Sequence, residues 1–226
     1  MQLWGKRSPP ATGLPDVAAT YRVRISATRE TRKSLATYTL YHISVSCLVS
    51  REWRIIQRRY SDFFALRDAL ADLQRRAFGA PWAAALSPIV DGPFPAKRYF
   101  RDTRSIVRER MRLFKSFVGQ LLRFRHHYLA LLQRHVHAAK SPLFVELLRL
   151  LHGFLELRLH KLLHGPQLAR TDETACAICL AGRRRQWLRL SPCQHAFHAS
   201  CAIDWLLRKP TCPVCRTGAS AGVLIA

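Results

Sequence analysis

Tyr21, Val23 and Ile25 alternate with polar residues, and Tyr41, Ile43, Val45 and Cys47 do the same. That is the period of two expected of half-buried strands. A third strand is expected from Trp53 to Arg59. Ser61 followed by Asp62 reads as a helix start, the hydroxyl capping an orphan amide and the carboxylate lying near the positive end of the dipole. A helix from Ser61 to about Arg76 follows, then a loop punctuated by Gly79, Pro81, Pro88, Gly92, Pro93 and Pro95. The period then lengthens. Val107, Met111, Phe114, Val118 and Leu121 make one buried stripe on a helix that begins near Asp102. Phe144, Leu148, Leu151, Leu155, Leu159 and Leu162 repeat the rhythm on a last helix from Pro142, ending near Gly165 and Pro166. The fold class is α+β, a three-stranded sheet with helices and a helical arm. Six of the seven cysteines fall in the last 51 residues, so a small, chemically different unit follows.

Charge narrows the partners. The 226 residues carry 37 Lys and Arg against 14 Asp and Glu, a formal charge of +23. By part, residues 1–170 hold 30 basic and 11 acidic side chains (+19), and the remainder 7 and 3 (+4). Such an excess points to nucleic acid, acidic membrane or acidic protein. At 49% hydrophobic content the chain is not wholly disordered. The amino terminus lacks the apolar run of about 7–15 residues that a signal peptide needs. The longest uncharged stretch, Ala77 to Val90, is shorter than the roughly 18 residues that span a bilayer and contains Pro81 and Pro88. An intracellular chain without a membrane span is expected, where free thiols favour metal ligation over disulfides.

The carboxy-terminal ligands read Cys176-x2-Cys179, then Cys193-x-His195-x2-His198-x2-Cys201, then Cys212-x2-Cys215. Eight soft ligands make two tetrahedral zinc sites, since zinc takes four Cys or His ligands and a CxxC pair clasps one edge. So short a segment needs the metal to fold. With every coordination position filled by protein, hydrolytic zinc chemistry is not expected.

This arrangement resembles the RING finger of the two-histidine type over Cys176 to Arg216; the ligand order argues against LIM and PHD fingers. The family's cross-brace implies that Cys176, Cys179, His198 and Cys201 hold one ion and Cys193, His195, Cys212 and Cys215 the other. The family's aliphatic residue, Trp, Pro and Arg correspond to Ile178, Trp205, Pro213 and Arg216. Ile178, Trp205 and Pro213 would form a shallow apolar groove that anchors a partner. The resemblance implies a RING-type ubiquitin ligase that holds a ubiquitin-charged conjugating enzyme in a reactive pose, with Arg216 as linchpin. Cys47, the one cysteine outside the ligand set, lies in an apolar strand, so no covalent ubiquitin intermediate is expected.

Gln57-Arg58-Arg59-Tyr60-Ser61-Asp62-Phe63 resembles the signature of a PX domain, a phosphoinositide-binding fold, and the likeness runs from Val17 to Leu157. Pro95-Ala96-Lys97, Arg110 before Phe114, and Ser141-Pro142-Leu143 add to it; Gly92, where the family commonly has Pro, departs from it. The resemblance implies that Arg59 grips the 3-phosphate, Tyr60 packs on the inositol ring, Lys97 meets the 1-phosphate and Arg110 bonds the ring hydroxyls. Arg59 and Tyr60 point to opposite faces of an unbroken strand, so both reach one ligand only if the strand ends there. Phe78 and Trp82 are candidates either for wedging into lipid or for the core.

The expected organisation is a flexible amino terminus (1–16), a PX-like domain (17–157), a helical arm and linker (158–172), a RING-type zinc finger (173–218) and a tail (219–226). The expected protein is a ligase with two zinc ions, cytoplasmic and peripheral on endosomal membranes. Its partners are a conjugating enzyme, ubiquitin, phosphatidylinositol 3-phosphate or a related lipid, and a protein substrate. Two alternatives stand beside it. One is a non-catalytic phosphoinositide-binding adaptor with a structural zinc module. The other is a basic nucleic-acid binder, disfavoured because no nucleic-acid motif accompanies the charge.

Overall fold

The alternating segments become an antiparallel meander. The computed structural model describes residues 20–31, 37–98, 102–134, 141–156, 174–182 and 186–225. In it β1 (Tyr21–Thr31), β2 (Thr37–Cys47) and β3 (Glu52–Arg59) pair with Val23 opposite Val45 and Ile43 opposite Ile56. The chain passes from β3 directly into α1 (Tyr60–Arg76). Short α2 (Pro81–Ala84) and α3 (Ser87–Val90), long α4 (Arg104–Arg134) and α5 (Pro142–Leu155) complete the amino-terminal unit. The helical stripe packs as its spacing predicts, with Phe114, Val118 and Leu121 fully buried. Phe63 stacks on Phe114, and Tyr41 meets both edge-on. Trp82 belongs to this core, packed on Phe144, whereas Phe78 is almost fully exposed. The expected amino-terminal segment (1–16), Leu159, Leu162 and the arm (158–172) lie outside the described residues.

The first helix starts one residue earlier than Ser61, and its cap differs. Asp62 reaches back to accept the Arg59 amide at 2.7 Å, so a carboxylate three residues into the turn does the capping and Ser61 is exposed. The two adjacent arginines are divided by this turn. Arg58 donates to the carbonyls of Gly153 and Phe154 and pairs with Glu156 at 2.9 Å, closing the carboxy-terminal end of α5. Arg59 is left for the opposite side.

The second unit adds β4 (Trp187–Ser191), β5 (Ala196–His198), α6 (Ala199–Leu206) and β6 (Ala221–Ile225). Within the expected tail (219–226), Ala221–Ile225 therefore form a strand. It lies between the two units, and one sheet runs β1-β2-β3-β6-β4-β5. Trp53 is opposite Gly222, which is itself opposite Leu190 on the other side. A side chain cannot occupy position 222: a Cβ there would lie 2.4 Å from the Arg189 carbonyl oxygen.

The shared sheet corrects the half-buried reading of β2. Positions 41–47 are buried on both faces, and His42, Ser44 and Ser46 are at most 4% exposed. Their face is covered by the second unit, whose core includes Trp53 and Ile55 of β3 beside Trp187, Phe197, Leu206, Leu224 and Ile225. Ser44 is compensated by accepting the Trp53 indole N–H at 2.8 Å. Ser26 donates to the Leu207 carbonyl at 2.5 Å, and Arg24 pairs with Asp204, so β1 also contacts the second unit.

Candidate metal centre and basic pocket

Two chain reversals build the metal centre. After Cys179 and again after Cys215 the backbone enters the left-handed region, at Leu180 (φ 58°) and Arg216 (φ 61°). Each reversal folds its CxxC pair into the same hydrogen-bonded loop. Leu180 and Arg216 donate amides to the carbonyls of Cys176 and Cys212, whose own amides bond to Ala181 and Thr217. Between them the β4–β5 hairpin carries Cys193, His195 and His198, and α6 carries Cys201.

The result is two interleaved sets, Cys176, Cys179, His198 and Cys201, and Cys193, His195, Cys212 and Cys215, with ligand atoms in each set within 4.8 Å of one another. The edges of a tetrahedral Zn–S/N site are about 3.5–3.8 Å. Cys212 Sγ and His195 Nδ1 stand 3.7 Å apart, and Cys179 Sγ and His198 Nδ1 3.2 Å. His198 Nε2 is 3.0 Å from the Gly182 carbonyl, which accepts its N–H and leaves Nδ1 with the lone pair for metal. Donor set, spacing and this orienting bond fit two zinc ions.

Beside the first set lies a groove of about 350 Å³ lined by Ile178, Cys201, Asp204, Trp205, Arg208 and Lys209. Trp205 is 39% exposed although the unit has a core to receive it, and its indole N–H is anchored on the Thr211 carbonyl at 2.9 Å. Pro213 is partly buried and outside the lining. Leu180 and Val214, at the tips of the two reversals, are exposed and were not singled out from the sequence. Arg216 is exposed on its left-handed turn.

The second candidate is a pocket of about 380 Å³ where the β1 and β2 ends meet the β3–α1 turn. Its lining brings Arg59, Tyr60 and Arg110 together, with Arg29, Tyr38, Arg98 and Asp102. Arg59 lies over the Tyr38 ring at 4.5 Å, and Arg110 over Tyr60 at 4.3 Å. Arg110 is 4% exposed and pairs with Asp102 at 2.7 Å; Thr39 donates to the other Asp102 oxygen. Tyr60 donates to the Pro95 carbonyl at 2.9 Å. Burial pushes its hydroxyl pKa up, Arg110 and Arg67 pulling the other way, so it remains a neutral donor. Lys97 is absent from the lining; its ammonium faces the Phe64 ring at 5.8 Å, and the adjacent Arg98 lines the pocket. Four arginines against one carboxylate, with Tyr38 and Tyr60 beside them, make this a candidate anion site.

Residues 174–216 match the family model of the ring finger domain, and residues 48–149 that of the PX domain. An E3 ubiquitin-protein ligase of Oryza sativa subsp. japonica is 57% identical over 49 residues, 21% of this chain and 20% of that protein. One of Mus musculus is 37% identical over 62 residues, 27% of this chain and 16% of the relative. A RING-H2 finger protein of Arabidopsis thaliana is 42% identical over 59 residues, 25% and 27% respectively. The chain thus spans no more than about a quarter of the length of these relatives.

Proposed function

We propose that this chain, a PX domain joined to a RING finger of the two-histidine type, is a ubiquitin ligase recruited to phosphoinositide-containing membranes. The observation that carries the reading is the exposed Trp205, in a groove with Ile178, held beside a complete pair of four-ligand clusters. The three relatives named as ubiquitin ligases or RING-H2 proteins support it. Zinc supplies structure alone, because each ion has four protein ligands. The groove of Ile178 and Trp205 would seat a conjugating enzyme. Arg216, whose fork of donors projects from the second reversal, would hold carbonyls of the enzyme and of ubiquitin. A substrate lysine amine then attacks the thioester carbonyl, the isopeptide bond forms and the enzyme's thiolate leaves. The ligase contributes orientation. No ubiquitin passes through the ligase itself: Cys47 is 5% exposed and its sulfur accepts the Ser50 amide.

Arg216→Ala should slow chain formation in a reconstituted reaction by roughly 10- to 100-fold, the equivalent of one charge-assisted hydrogen bond of about 1.5–3 kcal/mol. Alanine keeps the left-handed strain of that position comparable, whereas glycine would relax it. An unchanged rate with every conjugating enzyme tried would refute the mechanism.

On the membrane side, Arg59, Tyr60 and Arg110 would take the head group of phosphatidylinositol 3-phosphate or a related lipid, as on endosomes, with Arg98 also in the lining and Lys97 beside it on the same loop. Arg59→Ala should lower sedimentation with phosphoinositide vesicles at least tenfold while leaving weak binding to other anionic vesicles intact. Equal binding by the two proteins would leave only general basicity.

A further inference from the structure

The groove proposed for the conjugating enzyme lies in a unit whose charge is predominantly basic. From residue 174 to 226 the sequence holds seven Lys and Arg and a single carboxylate side chain, Asp204. Two ions in Cys3His sites each leave a formal −1, so the segment remains near +4 with its metal. Asp204 lines the groove directly beside Trp205, the one place where it could meet a basic residue of a partner. It is already engaged: Arg24, projecting from β1 of the PX sheet, pairs with it, and both side chains are about half exposed. Arg208 and Lys209 also line the groove, are exposed, and form no ion pair among the described residues. Arg216 adds a further exposed guanidinium on the same unit.

The placement of Arg24 follows from the shared sheet. Strand β6 and the Ser26 to Leu207 bond hold α6 against β1, so a residue almost two hundred positions upstream sits at the groove's edge. A RING finger lacking this neighbour would present Asp204 as a negative contact. Here Arg24 offsets the one carboxylate in the groove's lining, and the other charged groups there, Arg208 and Lys209, are basic.

We infer that this groove selects a conjugating enzyme with acidic side chains beside its apolar docking contact and rejects one with basic side chains there, Arg24 of the PX domain acting as a specificity residue by masking Asp204. The inference rests on the ligase reading and deepens it. Charges at an interface rim act mainly on association rate and partner choice, and like-charge juxtaposition is the stronger discriminator.

The experiment uses the full chain with zinc bound and two ubiquitin-charged conjugating enzymes, one acidic and one basic at the docking face, reading binding and thioester discharge to free lysine. Wild type should favour the acidic enzyme by about tenfold at low salt, the preference shrinking as salt rises. Arg208→Glu with Lys209→Glu should reverse the order. Arg24→Gln should recover part of the binding to the basic enzyme by releasing Asp204, without loss of zinc or a change in melting temperature. Equal use of both enzymes by wild type, or a preference unmoved by the double reversal, would overturn the inference while leaving the ligase reading intact. Failure of every charged enzyme to bind or discharge would overturn both.

Discussion

Stripping zinc from this chain should unfold the carboxy-terminal unit and leave the basic pocket of Arg59, Tyr60 and Arg110 intact. The two clusters interleave along one short hairpin, with His195 and His198 three residues apart yet in different sets. Loss of either ion therefore removes the constraint on the other. Cys176 and Cys212 are fully buried, so their sulfurs are part of the core as well as ligands. A structural ion contributes about 10–16 kcal/mol in small zinc modules, against a net stability of about 5–15 kcal/mol for a whole domain, and no repacking of some fifty residues can replace it. Trp53 and Trp187, each 1% exposed in that core, provide the readout. Chelation should shift their fluorescence to the red and erase cooperative melting of this unit. The pocket is lined only by β1, β2, the β3–α1 turn, the loop before α4 and α4 itself, so phosphoinositide binding should persist in the stripped protein. Native fluorescence after complete metal removal would contradict this account, and so would loss of lipid binding in step with zinc.

What could be read from the sequence divides along physical lines. The zinc ligands were legible because metal chemistry admits few residue types, and a CxxC spacing is a local property of one turn. Arg59 and Tyr60 were named from the PX resemblance; the strand's direct passage into a helix, with Asp62 at the turn, places both in one pocket lining. Lys97 and Arg98 are neighbours in a loop with no period, and nothing local says which one turns inward. Tyr38 and Arg29 join the pocket only through strand register, with Arg29 opposite Thr39. Ser44 and Ser46 look like a solvent face because alternation reports polarity and is silent on what covers it; the cover comes from residues some 140 positions later. Strand β6 is the deepest omission. Ala221 to Ile225 has one glycine and no polar residue, so its period cannot be seen, and its partners lie some 30 and 170 positions away.

That strand carries the second large expectation. Gly222→Val should lower the melting of the carboxy-terminal unit by about 10 °C or more and separate it from that of the amino-terminal unit. The Cβ of any replacement meets the Arg189 carbonyl at 2.4 Å, an atom of the backbone that cannot rotate away, so β6 must leave β4. With it go the Leu224 amide to Arg51 carbonyl bond and the Ile55 amide to Ser220 carbonyl bond on the β3 side. Leu224 and Ile225, at most 2% exposed, return to water at about 1.5–3 kcal/mol each, and each kcal/mol shifts the melting point of a chain this size by about 2–4 °C. Trp53 loses its cover on one side, so its fluorescence should report the lowered transition. Leu224→Asp, which leaves the backbone approach at Gly222 untouched, should produce the same split through lost burial alone. Zinc content should remain at two in both variants, because β6 holds no ligand. The functional consequence is separable: lipid binding and lysine discharge in solution should each survive, while the rate gained by adding phosphoinositide vesicles should fall. On the proposed membrane-recruited reading, the continuous sheet would hold the groove in a fixed relation to the basic pocket, and a hinge would not. A single unshifted transition in Gly222→Val would mean that the two units do not depend on β6 for their coupling.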